Sequence, residues 1–455
     1  MKNIKKEWKD SDVCGKMIFN FKNIVSGSGP MKYSFQKRDI STGAELCTIS
    51  AEGFKTACVS ISFVMPLGEK ASLYALVPNV LTRSSEKYPD VTALEKKLAL
   101  LYGADVGVDV SKIGEHQVLK IVVACIDDRF AIDGESITGE CCDLLFELVF
   151  NPRLVNGVFS ADDVESEKRL LCERLAAETS DKRTYAKNRC EEIMCSDELY
   201  GINRLGSVEA INEITPEALT DAYNEILKNA KISLCISGGN FTDAEKMLSE
   251  RLSNVERDVA ESETVFVESA EDVQYVKEQE PVKQGKLVMG FRMGMTNGDD
   301  NYAARRVMVD LFGGSPHSKL FTVVREKMSL CYYCSARMIR AKGVMFVQSG
   351  IESFNEKKAR EAILSQLDAI KNGEFSQDDI DSSVKALEDS FKSVTDSAEA
   401  LESWFSSQVV SGKYLYPEDF ISGFKNVQKE DIIKAAGDVT LDTVFMLEGT
   451  AGGEE

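Results

Sequence analysis

The sequence predicts an α+β protein built twice over, two units of strands and helices joined by an acidic linker. Three observations predict it. The chain of 455 residues exceeds a single hydrophobic core and fits two domains of about 200 residues each. A strand, helix, helix, strand, strand, helix order in the first half returns in the second, about 230 residues on. Between the two lies VERDVAESETVFVESAEDVQYVKEQEPVKQG, a carboxylate-rich run with the composition of a connector. The expected boundaries are an N-terminal extension over 1–40, a first domain over 41–254, the linker over 255–285 and a second domain over 286–450.

Each element has a local reason. CTISAEGFKTACVSISFVMPLG contains two strand-like runs, and TACVSISFVM is the clearer. ASLYALVPNVLTR and DVTALEKKLALLYG have helical spacing; in the second, Leu94, Leu98 and Leu101 share a face and Gly103 stands where a C-cap would. ADVGVDVSKIGEHQVLKIVVACI reads as two strands joined at Lys112–Glu115, a tip to which His116 adds no evident chemistry. Helical patterns fill most of 136–228, with Ser160 and Asp163 spaced as a capping box, and KISLCISGG is a further strand. After the linker come the strand KLVMGFRMGM, the helices DDNYAARRVMVDLFGG and SKLFTVVREK, the strands LCYYCSARMIR and GVMFVQSGI, and the helix EKKAREAILSQLDAIKNG. SQDDIDSSVKALEDSFKSV opens with Ser376 and Asp379 as a capping box, and Ile380, Val384, Leu387 and Phe391 form its apolar stripe.

Composition narrows the function. Apolar residues at 43% and charged residues at 28% are ordinary for a globular protein, and no apolar run of about 18 residues is long enough to span a membrane. The N-terminus lacks the apolar core of a secretory signal, so a cytoplasmic location is expected. The twelve Cys fall mostly in apolar runs and read as reduced, buried thiols. Cys331 and Cys334 form a CxxC in an apparent strand, where residues three apart face opposite sides, so no metal or redox pair is expected there. A net charge of −20 argues against a nucleic-acid partner; it suits a soluble surface and could steer basic peptides inward. VSGSGP and LFGGSP lack the Lys-Ser/Thr of a phosphate loop and read as turns.

The informative stretch is GGSPHSKLFTVVREKMSLCYYCSARM. It resembles the second half of M16 metallopeptidases, the insulinase or mitochondrial-processing-peptidase-like family, whose members carry S-[RK]-L-F followed by L-R-E-x-x-x-L-[AC]-Y. The resemblance covers about residues 40–450. It is similar in particular to a Gram-positive bacterial group associated with elongation factor P modification, in which one member of each pair lacks the metal site. It implies two homologous M16-type (LuxS/MPP-like) α+β domains. Catalytic members present H-x-x-E-H on a first-half helix, two imidazoles and a distal Glu holding zinc while the motif's Glu takes a proton from the metal-bound water. Counting back from Glu86-Lys87-Tyr88-Pro89 puts that motif on Ala75, Leu76, Val77, Pro78 and Asn79, so the ligand and base positions hold Ala75, Pro78 and Asn79. Pro78 is expected to break or kink the helix. The distal Glu falls on Arg174, with Glu173 beside it. Only two His exist, His116 and His317, and neither has a His four residues away. No zinc or other cofactor is therefore expected in this chain.

The second half departs less. On the family pattern Arg325 and Tyr332 hold the substrate peptide, the Arg by bidentate bonds and the Tyr hydroxyl at the oxyanion. The plainer alternative is a solvated helix-end charge and a packed ring; Tyr333, on the other strand face, reads as structural. The resemblance implies a non-catalytic subunit that closes a chamber over an extended basic or unstructured peptide. Its partner would be an H-x-x-E-H-containing M16 subunit of similar size carrying the zinc, or a second copy of itself. The alternative from another class is an assembly or peptide-binding protein with this fold and no part in proteolysis. An independent cysteine nucleophile is a poor third, since it needs a base nearby.

Overall fold

The structure is a computed structural model describing residues 33–449 apart from 52, 240–242, 254 and 300. The expected N-terminal extension lies, over 1–32, outside the described residues. Its last residues are part of the fold, because β1 (Tyr33–Ser41) pairs antiparallel with β2 (Ala44–Ala51).

The first half continues with β3 (Thr56–Pro66), helices α1 (Ala71–Leu81) and α2 (Val91–Leu100), the hairpin of β4 (Asp105–Ile113) and β5 (His116–Ile126), and α3 (Ile137–Phe150). A two-stranded ribbon, β6 (Leu154–Val155) and β7 (Val158–Phe159), leads into α4 (Ala161–Ser180) and α5 (Lys182–Met194), and β8 (Lys231–Ser237) completes the sheet. The second half has β9 (Gln274–Glu280), β10 (Gly285–Arg292), β11 (Tyr333–Ile339), β12 (Val344–Ile351) and β13 (Thr440–Gly449). The sheets run β1-β2-β8-β3-β5-β4 and β11-β12-β10-β13-β9. Read from opposite ends, β2-β8-β3-β5-β4 and β9-β13-β10-β12-β11 have the same order, and each has one parallel pair, β2 with β8 and β9 with β13. The duplication expected from the sequence is a duplication of topology.

The acidic segment is more than a connector. Gln274–Glu280 is the counterpart of β2 and lies as an edge strand along β13. Its alternation of exposed and half-buried polar residues, QYVKEQE, has the look of a linker because only one neighbour holds it.

Apolar spacing makes the cores. Leu94, Leu98 and Leu101 are buried as expected, and Gly103 adopts φ +76° just past the helix. Ser376 and Asp379 form their capping box, whereas Ser160 caps without its side chain: Asp163 turns instead to the Arg83 guanidinium at 3.0 Å. A charge-assisted pair outcompetes a neutral backbone N–H for the same carboxylate.

The halves exchange helices. α5 from the first half lays Ala186, Cys190 and Met194 on Val288, Phe346 and Phe445 of the second sheet. In return the helix Ala398–Ser406 lays Leu401 and Phe405 on Cys47, Ile49 and Cys235 of the first. Gly290 lets α5 approach, since a Cβ there would meet the Met194 sulfur at 2.6 Å. With about 2 kcal/mol per fully buried large side chain, these two seams oppose separation of the halves by several kcal/mol.

Candidate functional site: the cavity between the halves

α1 runs continuously through Pro78, so the expected break does not occur. Proline removes one amide donor, but the turns beyond it close normally: Thr82 bonds the Pro78 carbonyl through its amide at 3.3 Å and its hydroxyl at 3.2 Å. Ala75 is wholly buried in the first core. Asn79 folds back, its Nδ2 donating to the Ala75 carbonyl at 2.8 Å. Val77 and Pro78 border a void of about 10 Å³ with Phe63, Leu81, Leu119 and Tyr223, an apolar space at the lower limit for one water. Arg174, on α4, is exposed and forms no ion pair among the described residues, while Glu173 beside it pairs with Arg169 at 2.7 Å. The α4 side chains that reach α1's C-terminal end are Asp163 and Glu167, both on Arg83. Among the described residues no cluster of three His, Cys, Asp or Glu is arranged to hold a metal. Apolar packing and one guanidinium fill the α1–α4 junction.

The Arg325–Tyr332 segment sits apart from this junction. Arg325 lies on Leu320–Lys327, a helix wound wide enough that the Met328 amide bonds the Val323 carbonyl five residues back. Such π-winding is rare and recurs at functional sites. Its guanidinium lies 4.5 Å over the Phe321 ring, with Glu326 3.6 Å from Nε. Tyr332 precedes β11, 58% exposed, its amide on the Gly350 carbonyl and its hydroxyl donating to Glu352 at 2.7 Å. That hydrogen bond raises the phenol pKa. The two side chains do not bond one another, and neither lines the large cavity between the sheets.

That cavity, about 1230 Å³, lies between the sheets. Its first-half wall is β4, an edge strand with β5 on one side only; its floor is α5; its second-half wall is β11, the edge of the other sheet. A carbonyl of the free β4 edge, that of Val110, is taken by Arg204 Nε at 2.9 Å, and Glu178 holds Arg204. At the floor Lys112 reaches Glu191 at 2.7 Å and the carbonyls of Tyr200 and Ile202, with its ammonium 4.0 Å over the Tyr200 ring. Burial lowers the Lys112 pKa despite Glu191. Burial also pushes Glu191 up, but Lys112 and Lys187 outweigh it and hold the carboxyl below its ordinary value.

Behind the floor a second ionic cluster joins the hairpin tips. Lys342, at the β11–β12 tip, is fully buried and lies 2.6 Å from Glu115 at the β4–β5 tip. It also lies 2.5 Å from Glu198, off the direction of a hydrogen bond, and Glu198 meets Arg292 at 2.8 Å. Arg292 in turn pairs with Asp442 at 2.7 Å. Gly114, at φ +56°, is required here, because a Cβ would strike Thr264 and the Ala341 carbonyl. His116 donates its Nε2–H to the Ser262 carbonyl at 3.0 Å, because a carbonyl can only accept. The Glu115–His116 tip, given no role from sequence, is thus a joint between halves and linker. Its partner is 227 residues away, which no local pattern signals.

The CxxC reading is also corrected. Cys331 precedes β11, so the strand rule does not apply to it, and both thiols lie in the second core, where the neighbouring Cys334 thiol lowers the pKa of Cys331.

The chain is 32% identical over 424 residues to the probable inactive metalloprotease YmfF of Bacillus subtilis strain 168, covering 93% of this chain and 100% of that protein. Residues 213–387 match the Peptidase M16 inactive domain. The chain belongs to the M16 peptidase family. A conserved protein from Enterococcus faecalis V583 shares the structure with a TM-score of 0.83 at 28% identity, over 92% of this chain and 99% of that one. A peptidase M16 inactive domain from Pseudomonas fluorescens shares the fold, with a TM-score of 0.73 at 18% identity over 92% and 100% of the two chains. The two-domain M16 fold is therefore that of this protein, and its Bacillus subtilis relative is described as a probable inactive metalloprotease. No helix among the described residues is long and apolar enough to cross a membrane.

Proposed function

We propose that this chain is the non-catalytic subunit of a two-subunit M16 zinc peptidase, closing a chamber over an extended peptide. The observation that carries the reading is the cavity between the halves, lined by two sheet edges, in a chain whose family metal positions are Ala75, Pro78 and Asn79. At about 1230 Å³ it exceeds the roughly 300–1,000 Å³ of small-molecule pockets and suits a peptide segment. The free edge of β4 offers backbone donors and acceptors to an added strand, once Arg204 yields the Val110 carbonyl. Zinc belongs to the partner, an H-x-x-E-H-bearing M16 subunit of similar size, and the pair works in the cytoplasm.

Reconstitution tests it. The chain is expressed with a tag in its native host, and zinc and the mass of co-purifying protein are measured. One zinc per pair and a companion of similar size support the proposal. In that pair Arg325→Ala and Tyr332→Phe should each reduce peptide cleavage; unchanged cleavage removes the substrate-holding role.

One observation favours the second reading, an assembly or peptide-binding protein without proteolysis. Arg325 and Tyr332 stand outside the cavity, and the Tyr332 hydroxyl is already engaged by Glu352. A zinc-free chain that is alone or self-paired supports that reading.

A further inference from the structure

The cavity's walls differ in charge in a way the net charge conceals. Most ionic groups lining it are compensated: Lys112 and Lys187 by Glu191, Arg204 by Glu178, Glu192 by Arg189, and Glu198 by Arg292 and Lys342. Against the second sheet two guanidiniums are not, one of them carried there by α5 of the first half. Arg183 donates from Nε to Gln348 at 3.2 Å and lies 4.4 Å over the Tyr333 ring. Arg337 is exposed on β11. Among the described residues neither has a carboxylate within ion-pair distance. Asp181, the nearby acid, caps α5 through the Arg183 amide at 3.0 Å and the Thr184 hydroxyl at 2.7 Å.

The strand register places the two together. Tyr333, Ser335 and Arg337 alternate onto one face of β11, and Ser335 stands opposite Gln348, the residue that holds Arg183. Lys286 lies on the same face, opposite Gly350, which also faces Tyr333. Its pKa is lowered by burial and then by the Arg183 charge, which outweighs the opposing charge of Asp181. The cavity's acids without an ion pair among the described residues, Glu69 and Asp109, belong to the first half, on the turn before α1 and on β4, where Asp109 stands opposite Lys120.

We propose that the second-half wall of the cavity binds a carboxylate of the peptide ligand, through Arg183 and Arg337 with Gln348 between them. The inference rests on the peptide-binding reading above and specifies its ligand. Two guanidiniums flanking an amide form a donor fork suited to a planar carboxylate. It departs from the basic peptide expected from a net charge of −20, and range decides between them. Charges more than about 10 Å away are screened at ordinary ionic strength, so the remote acidic surface does not set the preference at contact. Glu69 and Asp109 would orient the same ligand, repelling its acidic end from the first-half wall. The carboxylate comes from a C-terminus or from Asp and Glu side chains.

The test uses the full chain and fluorescein-labelled extended peptides of about 10 residues, roughly 33 Å long, followed by anisotropy. One has an Asp-rich end and a free C-terminus, a second has the C-terminus amidated, a third replaces Asp with Asn, and a fourth is Lys-rich. The acidic peptide should bind about tenfold tighter than the Lys-rich one. Loss on amidation assigns the chain terminus; loss on Asn replacement assigns the side chains. R183A/R337A should remove about tenfold from the acidic peptide and nothing from one both amidated and Asn-substituted. R337E should turn the preference toward the Lys-rich peptide. Both side chains are exposed, so these variants keep the fold. Equal affinity for all peptides, a Lys-rich preference, or indifference to R183A/R337A overturns the inference while leaving a peptide-binding protein. Failure of every peptide to bind removes the peptide-binding reading and the inference with it.

Discussion

Glu115 and Lys342 stand at corresponding hairpin tips of the two halves and meet at 2.6 Å, both side chains buried. A duplication makes like surfaces face one another across a pseudo-symmetric seam, and this seam is broken at one position by opposite charges. Burial tends to push Glu198, the next carboxylate in the cluster, upward, but Arg292 and Lys342 prevail and hold its pKa low. Glu198 therefore stays ionised while the joint is closed.

Removing one member should be expensive. Lys342→Met leaves Glu115 without its cation and Glu198 with Arg292 alone, and an orphaned buried charge costs about 3–5 kcal/mol. The urea midpoint should fall accordingly. Glu115→Gln should cost less, since the amide still accepts a hydrogen bond. The double variant should be less damaging than the sum, because the second change removes the charge the first left unpaired. Strict additivity would show that the pair is not coupled.

The joint should also sense mild acid. Burial holds His116 below its ordinary 6.5, against the Ser262 hydrogen bond. The unfolded chain then takes a proton before the folded one, so stability is full above about pH 6.5 and declines as pH falls through and below it. Glu191 and Glu198, also depressed, contribute above their ordinary 4.5 and lose that contribution only in stronger acid. Thermal midpoints between pH 7.5 and 5.5 should therefore fall for the wild type. His116→Gln, which can still donate to Ser262, should flatten that portion of the curve; an unchanged slope would falsify the assignment to His116.

What the sequence revealed follows from where each signal is stored. The strand-helix-helix-strand-strand-helix order, the Leu94–Leu98–Leu101 face and the Ser376–Asp379 cap were legible because each is encoded within a few residues. Gln274–Glu280 was hidden because an edge strand can be polar on both faces. The exchange of α5 and Ala398–Ser406, and the Glu115–Lys342 pair, depend on partners far along the chain. Asp163 failed as a capping residue for the same reason: Arg83, its actual partner, is 80 residues away. At the site, Ala75, Pro78 and Asn79 were placed by a motif and a count, whereas Arg183 entered no motif and emerges only from the fold.

Restoring the family motif should not restore a metal site. In Ala75→His/Pro78→Glu/Asn79→His, the first imidazole must enter a position with no exposed surface in a packed core. Overpacking there costs about 1–3 kcal/mol, and a buried imidazole without a partner adds to it. α4 still offers Arg174, a cation, where the family places a carboxylate. Dialysis against zinc followed by metal analysis should find well below one equivalent per chain, together with a lower melting temperature. Stoichiometric zinc with unchanged melting would mean that α1 retains an open metal-binding face.

The thiols give a prediction that tests the local geometry beside Tyr332. The hydrogen bond from Cys334 draws Cys331 down to about 7 against the effect of burial, with Ser349 and Arg325 adding to the shift, while Cys334 is driven up. Near pH 7 such a thiol is about half thiolate, whereas one at or above 9 is about 1% thiolate. Cys172 is the more open competitor, but its pKa is raised by burial. The lowered pKa of Cys331 favours its thiolate over that of the more open Cys172. Limited iodoacetamide at pH 7 followed by peptide mass analysis should therefore find Cys331 modified before Cys172. Cys334→Ala should slow Cys331 and move its rate profile to higher pH, because the donor that stabilises the thiolate is gone. Alkylation of Cys172 first, with Cys331 untouched, would mean that burial rather than the thiol pair governs this corner of the second core.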